Sequence, residues 1–326
     1  MRFFNKLREA LSRFAVGVHD LAAPATEATI REAEARLGAR LPEPYRDFLT
    51  SWNGGFLFHD DISLYGVTGA RRELEALAAV DGRVVFGATP TSELSFDAAG
   101  RVVARDLDTE AVAIVGSEFE RWLDATLARE AVVYERDGEF RDEAFEGGEL
   151  SEAAVRKRAA AAVKADPDSP AWREELAHTL IAEGKPDRAV KELERAVLLD
   201  PQLAGAWFAL GQLRRASGEQ ALAATAFQRA GEAERDPEEA AFDLAHAARA
   251  AAEVSPADAA ALGARVAELA PRFADDQATA AAHLVEDGDF DAAMERLSLA
   301  AAVLPDDAAI KERIAHLRAR KSLRSV

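Results

Sequence analysis

Apolar positions follow two rhythms along this chain. Over residues 2–18, Phe4, Leu7, Leu11, Phe14 and Val18 recur at steps of three and four, which predicts a helix with one apolar face. A second helix is predicted from Thr26 or Thr29, where Thr29-Ile30-Arg31-Glu32 has capping-box spacing. It buries Ile30, Ala33 and Leu37 and ends at Gly38. Leu41-Pro42 leads into a third helix with Tyr45, Phe48, Leu49 and Trp52 as its stripe, and Asn53-Gly54-Gly55 stops it. From residue 56 to 115 the period shortens toward two. Strands are predicted at 56–58, 62–65, 83–86, 101–105 and 111–115, with a hairpin turn at 97–100, while 71–77 reads as an inserted helix. Ser117-Glu118-Phe119-Glu120 has capping-box spacing again and opens a helix that turns Phe119, Trp122, Leu123 and Leu127 inward. Residues 131–135 read as a last strand, Asp137-Gly138 as a turn and 146–149 as a linker.

Beyond residue 150 the period is helical throughout, and it repeats. Trp207, Leu210 and Gly211, then Gly218, Ala223, Phe227 and Ala230, follow a W-x2-L-G, turn Gly, A-x3-F order. The frame returns 34 residues earlier (Ala177, Leu180, Gly184, Ala189, Leu193, Ala196) and again at Ala281, Leu284, Gly288, Ala293, Leu297 and Ala300. This resembles the tetratricopeptide repeat, a helical hairpin that buries its apolar face by stacking on its neighbours. Units are predicted from Pro170, Ala204 and Ala274. A degenerate unit between them holds the frame at Phe242, Leu244, Ala245 and Arg249 and breaks at Ser255-Pro256. A lone helix at 152–165 precedes the array, and a cap helix at 307–317 follows it.

The first half carries a second resemblance. Leu37, Gly38, Leu41, Pro42, Tyr45, Phe48, Leu49, Asn53 and Gly54, with Ser117, Phe119 and Trp122 later, resemble the SUKH superfamily over about residues 24–130. That superfamily contains fungal cell-wall-synthesis regulators and bacterial toxin-immunity proteins. The resemblance implies a domain that sequesters a specific protein. The fold expected is therefore α+β at the N-terminus, a small antiparallel sheet with flanking helices, joined to an all-α tetratricopeptide solenoid. The expected division is an amphipathic helix at 1–23, a SUKH-like domain at 24–148, and repeats with a cap helix at 149–326.

Charge narrows the partner. The net charge is −18: residues 1–150 hold 17 basic and 28 acidic side chains, residues 151–326 hold 23 and 30, giving −11 and −7. Nucleic acid needs a basic footprint and is excluded as a direct partner, whereas a basic protein suits complementary fields. The N-terminal helix could dock on its own domain or on a membrane or partner. No run of 18 apolar residues predicts a membrane span. There is no cysteine, so thiolate chemistry and cysteine metal sites fall away, and the chain is read as cytoplasmic.

No phosphate loop and no metal spacing of histidines is found, so neither cofactor nor metal is expected. An enzyme reading rests only on His59-Asp60-Asp61, consecutive residues that point in different directions. The site expected instead is a groove lined by the first helix of each hairpin. Residues one repeat apart form three ladders: Glu174, Phe208, Phe242; His178, Gln212, His246; and Ile181, Arg215, Arg249. An aromatic strip beside a basic one would receive an apolar peptide bearing an acidic group. The function expected is non-enzymatic protein binding of an immunity or regulatory kind, with an adapter or scaffold free of any toxin as the alternative.

Overall fold

The computed structural model describes residues 2–59, 61–68 and 75–324. The chain forms two compact units, Met1–Leu199 and Asp200–Val326. The boundary expected between 148 and 149 thus falls inside the first unit.

In the first unit, helix α1 (Arg2–Leu11) ends seven residues earlier than its apolar period suggests. The chain turns at residues 12–14 and passes Gly17 at φ 103°, so Phe14 and Val18 reach the core from a loop. Leu7 is fully buried and Ala10, Leu11 and Phe14 pack beside it, which docks this helix on its own domain. Helix α2 (Glu27–Leu37) is capped at Thr26, with Thr29 closing the box, and Gly38 ends it in the left-handed region. Helix α3 (Glu43–Ser51) carries Pro44 in its first turn and buries Tyr45, Phe48 and Leu49.

The sheet is antiparallel throughout. Its strands are β1 (Asp20–Leu21), β2 (Gly55–Leu57), β3 (Ile62–Leu64), β4 (Ala78–Val80), β5 (Arg83–Ala88), β6 (Ser92–Phe96), β7 (Val102–Asp106) and β8 (Val112–Gly116), in the order β1-β2-β3-β5-β6-β7-β8, with β4 also on β5. The inserted helix expected at 71–77 lies largely outside the described residues; Leu77 instead pairs its N–H with Gly66. Helix α4 (Phe119–Glu130) lays Phe119, Trp122 and Leu123 on the sheet. Tyr45 meets Phe119 edge-on at 4.7 Å, and Phe86 stacks on Phe96 at 4.1 Å. These rings fill the space between helices and sheet, where each large buried side chain is worth about 1.5–3 kcal/mol.

Gly54 shows why the Asn-Gly-Gly stop needs glycine. Its φ is 81°, and a Cβ there would stand 2.4 Å from the Leu64 carbonyl oxygen. Asn53 is buried, and its Oδ1 accepts the Val67 N–H at 2.8 Å, tying the end of α3 to the loop after β3.

Three sequence expectations are corrected here. Residues 131–135 form turns and not a strand: among the described residues no neighbouring strand offers a ladder, and only Tyr134 bridges to Phe140. Residues 146–149 are the turn of a hairpin between β9 (Phe145–Glu146) and β10 (Glu149–Leu150), with Gly147 and Gly148 both at positive φ. Ser117 does not cap α4, since it is held by Asp166.

Helix α5 (Glu152–Ala165) packs on α4, and α6 (Pro170–Ala182) with α7 (Pro186–Leu199) forms the first hairpin. The turn between α5 and α6 sits on the edge of β8. Ser169 donates its hydroxyl to the Val115 carbonyl at 3.0 Å and also caps α6. Arg129 lies 4.8 Å over the Trp172 ring and pairs with Glu175, and Arg158 pairs with Glu130 at 2.7 Å. An edge strand is a template for unwanted pairing, and this turn covers it.

The second unit is all helix: α8 (Ala204–Ala216), α9 (Gln220–Ala233), α10 (Pro237–Ala251), α11 (Pro256–Leu269), α12 (Phe273–Asp287), α13 (Phe290–Val303) and α14 (Ala308–Arg324). The Ser255-Pro256 break is the capped start of α11. Helix α10 is wrapped by α9, α11 and α13 and buries most of its alanines. Helix α14 extends seven residues beyond the cap expected at 307–317 and buries Ile310 and Leu317.

Candidate functional site

The nine ladder residues fall in both units. Glu174, His178 and Ile181 lie along α6 in the first; His178 and Ile181 are exposed and Glu174 is half-buried, 4.0 Å from the His178 ring nitrogen. The other six lie on α8 and α10 in the second. Phe208 and Phe242 are half-buried, their centroids 6.0 Å apart. Gln212 is exposed beside them. His246 is 3% exposed, beneath the rings of Phe208, Phe227 and Phe242. It therefore supports this face from below instead of lining it. Burial pushes the His246 imidazole down to about 4; Glu295 pulls it up and Arg296 pulls it down further.

Arg215 and Arg249 converge on one carboxylate, and it belongs to the same unit. Glu295 on α13 takes Arg215 at 2.9 Å and Arg249 at 2.7 Å. Sequence reasoning missed Glu295 because it sits on the second helix of the last hairpin, outside the ladder frame. Arg296, its neighbour, lies 5.6 Å over the Phe242 ring and donates to Gln277 at 3.0 Å. Phe242, Arg296, Gln277, Glu238 and Glu239 line a cavity of about 660 Å³. Asp243, buried on the same helix, is pushed up to about 7 by burial and by Glu234 and Glu239.

In the first unit, His59 and Asp61 do not form a pair. Asp60 between them lies outside the described residues. The Asp61 carboxylate accepts the Tyr134 hydroxyl, while His59 is exposed, at φ 51°, against Gly138. Among the described residues no three His, Asp or Glu side chains converge as a metal site requires.

A different surface stands out here. Phe140 is 58% exposed, on a ring stack that runs through Tyr134 at 5.0 Å to Phe58 at 5.1 Å. Val16 is fully exposed on the loop that the Ala15 N–H ties to the Arg136 carbonyl at 2.6 Å. Around them Asp137, Glu139 and Asp142 form no ion pair among the described residues, while Arg141 is shared by Glu135 and Glu143. No helix among the described residues is long and apolar enough to cross a membrane.

Comparison with known proteins names both halves. The family described as SMI1 / KNR4 family (SUKH-1) matches residues 24–124, and the tetratricopeptide repeat matches 171–213. Residues 24–124 are thus a domain of the SUKH-1 kind, and tetratricopeptide repeats follow it. None of the curated proteins matches the chain. Among solved structures, it is similar to MamA at 20% identity over 51% of this chain and 91% of that one, TM-score 0.34. It is similar to YrrB, a tetratricopeptide protein with an unusual peptide-binding site, at 21% over 50% and 82%, TM-score 0.34. The third is TTC0263, a thermophilic tetratricopeptide protein of Thermus thermophilus, at 18% over 51% and 90%, TM-score 0.31. A SUKH-1-type domain with tetratricopeptide repeats supports a protein-interaction role.

Proposed function

We propose that this chain, a SUKH-1-type domain followed by tetratricopeptide repeats, is a non-enzymatic, cytoplasmic protein that sequesters one specific protein partner through its first unit. The observation that carries this reading is the face around Phe140: an exposed aromatic anchor on a rigid ring stack, rimmed by carboxylates. Buried aromatics dominate interface energetics, and complementary charge sets partner choice and association rate. The occupant that fits is a basic protein domain, and covering that domain's own functional surface would block it, as an immunity protein blocks a toxin. Repeats on the same chain would take a second protein or peptide.

The test compares immobilised wild-type protein with Phe140→Ala and with Asp137→Lys/Glu139→Lys, using lysate of the producing cells. A basic protein held by wild type, released by salt and lost in both variants at unchanged melting temperature supports the reading. Equal retention by all three, or retention of acidic proteins only, sinks it. The adapter reading draws instead on the arginine pair of the repeat face. It gains ground if retention survives the Phe140 changes and falls with Arg215→Gln/Arg249→Gln.

A further inference from the structure

Helix α13 packs in an unusual place. In stacked hairpins the first helix of a hairpin packs against the hairpin before it. Here the second helix of the last hairpin, α13, packs on α10 and α11. It sends Glu295 to two arginines that stand one repeat apart on two first helices, α8 and α10. One turn on, Leu299 is fully buried in the cluster that holds Phe227 and Leu244. A glutamate followed four residues later by a leucine is how an amphipathic helix would engage such a face.

Two features mark the contact as a site and not only as packing. Two guanidinium groups meet one carboxylate, so a unit of positive charge remains uncompensated there. Beneath them the Nδ1 of buried His246 has no hydrogen-bond partner and lies 4.0 Å from a Glu295 oxygen. The Glu295 side chain stays 42% exposed, open to exchange.

We propose that the α8–α10 face is a binding site for a helix-borne carboxylate, and that α13 holds it in cis until a partner's acidic amphipathic helix displaces it. This rests on the repeat-face reading above. The chemistry is charge-assisted: the incoming carboxylate takes both arginines as Glu295 leaves them, and the arriving leucine replaces Leu299 in the apolar cluster.

The probe is a fluorescent synthetic peptide of residues 290–303, alongside the same peptide with Gln for Glu295. Anisotropy is read with full-length wild type, with Arg215→Gln/Arg249→Gln, with Glu295→Gln, and with Glu295→Gln/Arg215→Gln/Arg249→Gln. We expect Glu295→Gln to bind roughly tenfold tighter than wild type, the triple variant to lose binding, and the Gln peptide to bind poorly. Hydrogen exchange on wild type should show α13 amides losing protection when peptide saturates. Near-UV circular dichroism confirms that each variant is folded. Equal affinity of wild type and Glu295→Gln, both dependent on the arginines and with α13 still protected, would overturn cis occupation while leaving the repeat-face site standing. No binding to any folded variant would overturn both.

Discussion

Asp166 accepts both the backbone N–H and the hydroxyl of Ser117, each at 2.7 Å, and is itself fully buried. One carboxylate thereby joins the turn after α5 to the end of β8, and with Ser169 on Val115 it makes the first helices after residue 150 part of the sheet domain. Asp166→Ala leaves two part-buried donors of Ser117 without an acceptor. It should cost the first unit about 2–4 kcal/mol. Asp166→Asn keeps one acceptor and turns an amide donor toward the other contact, so it should fall in between. Urea unfolding followed by the near-UV signal of Trp122 and Trp172 measures both. A loss below about 0.5 kcal/mol for Asp166→Ala would mean the junction is held by apolar packing alone.

Arg46 bridges α2 and α3 from a buried position, reaching Glu34 at 2.5 Å and also Glu27. Burial works against charge on Glu34, but the Arg46 hydrogen bond and the Leu41 N–H outweigh it and hold its carboxyl below the usual range. A depressed folded pKa contributes stability above the ordinary value, and that stability is lost as pH falls through the folded pKa. Arg46→Ala should cost about 2–4 kcal/mol at neutral pH, since it strands a half-enclosed carboxylate. It should also flatten the acid limb of the stability curve. An acid limb unchanged in the variant would show that Glu34 is not what the arginine holds.

How far the residues foretell this depends on whether their partners are local. Ile30, Ala33, Tyr45 and Phe48 are placed by helical period, and the 34-residue frame of Leu210, Gly211 and Phe227 is local in the same sense. Thr26 is one of two possible caps by spacing, and the three-dimensional closure by Thr29 decides between them. β6 is not among the expected strands; its register against β5 and β7 is a tertiary fact. Ser117 has capping spacing, but a residue 49 positions away claims it. The arginine ladder on α8 and α10 is legible from spacing. Glu295 is not, since nothing in a 34-residue period says that α13 packs where a first helix belongs.

Gly211 tests the repeat packing. A Cβ at this helical position would lie 2.7 Å from a ring carbon of Phe227, which is itself fully buried. Helix propensity alone favours alanine by about 1 kcal/mol, so the sign of the change depends on the ring. Gly211→Ala should destabilise by about 1–3 kcal/mol through overpacking. With Phe227→Leu the penalty should largely vanish, giving a coupling above about 1 kcal/mol in a double-mutant cycle by thermal unfolding. Additive effects would mean the ring yields without strain.

Asp243 and His246 face opposite pH limbs from one buried helix. Asp243 is raised from its ordinary 3.8 to about 7, by burial first and then by Glu234 and Glu239. Its protonated form therefore favours the folded state: that contribution is full below pH 3.8 and is lost as pH rises toward 7. His246 is lowered from 6.5 to about 4, chiefly by burial, so its contribution is full above pH 6.5 and is lost as pH falls toward 4. Asp243→Asn keeps the shape and removes the charge. It should match wild type only below about pH 3.8, raise the melting temperature progressively as pH climbs toward 7, and give its full gain at pH 8. His246→Phe should instead relieve the loss between pH 6.5 and 4. Scanning calorimetry of both variants from pH 4 to 8 separates the limbs. A melting temperature for Asp243→Asn that tracks wild type across the whole range would show that the carboxylate finds solvent enough to ionise freely.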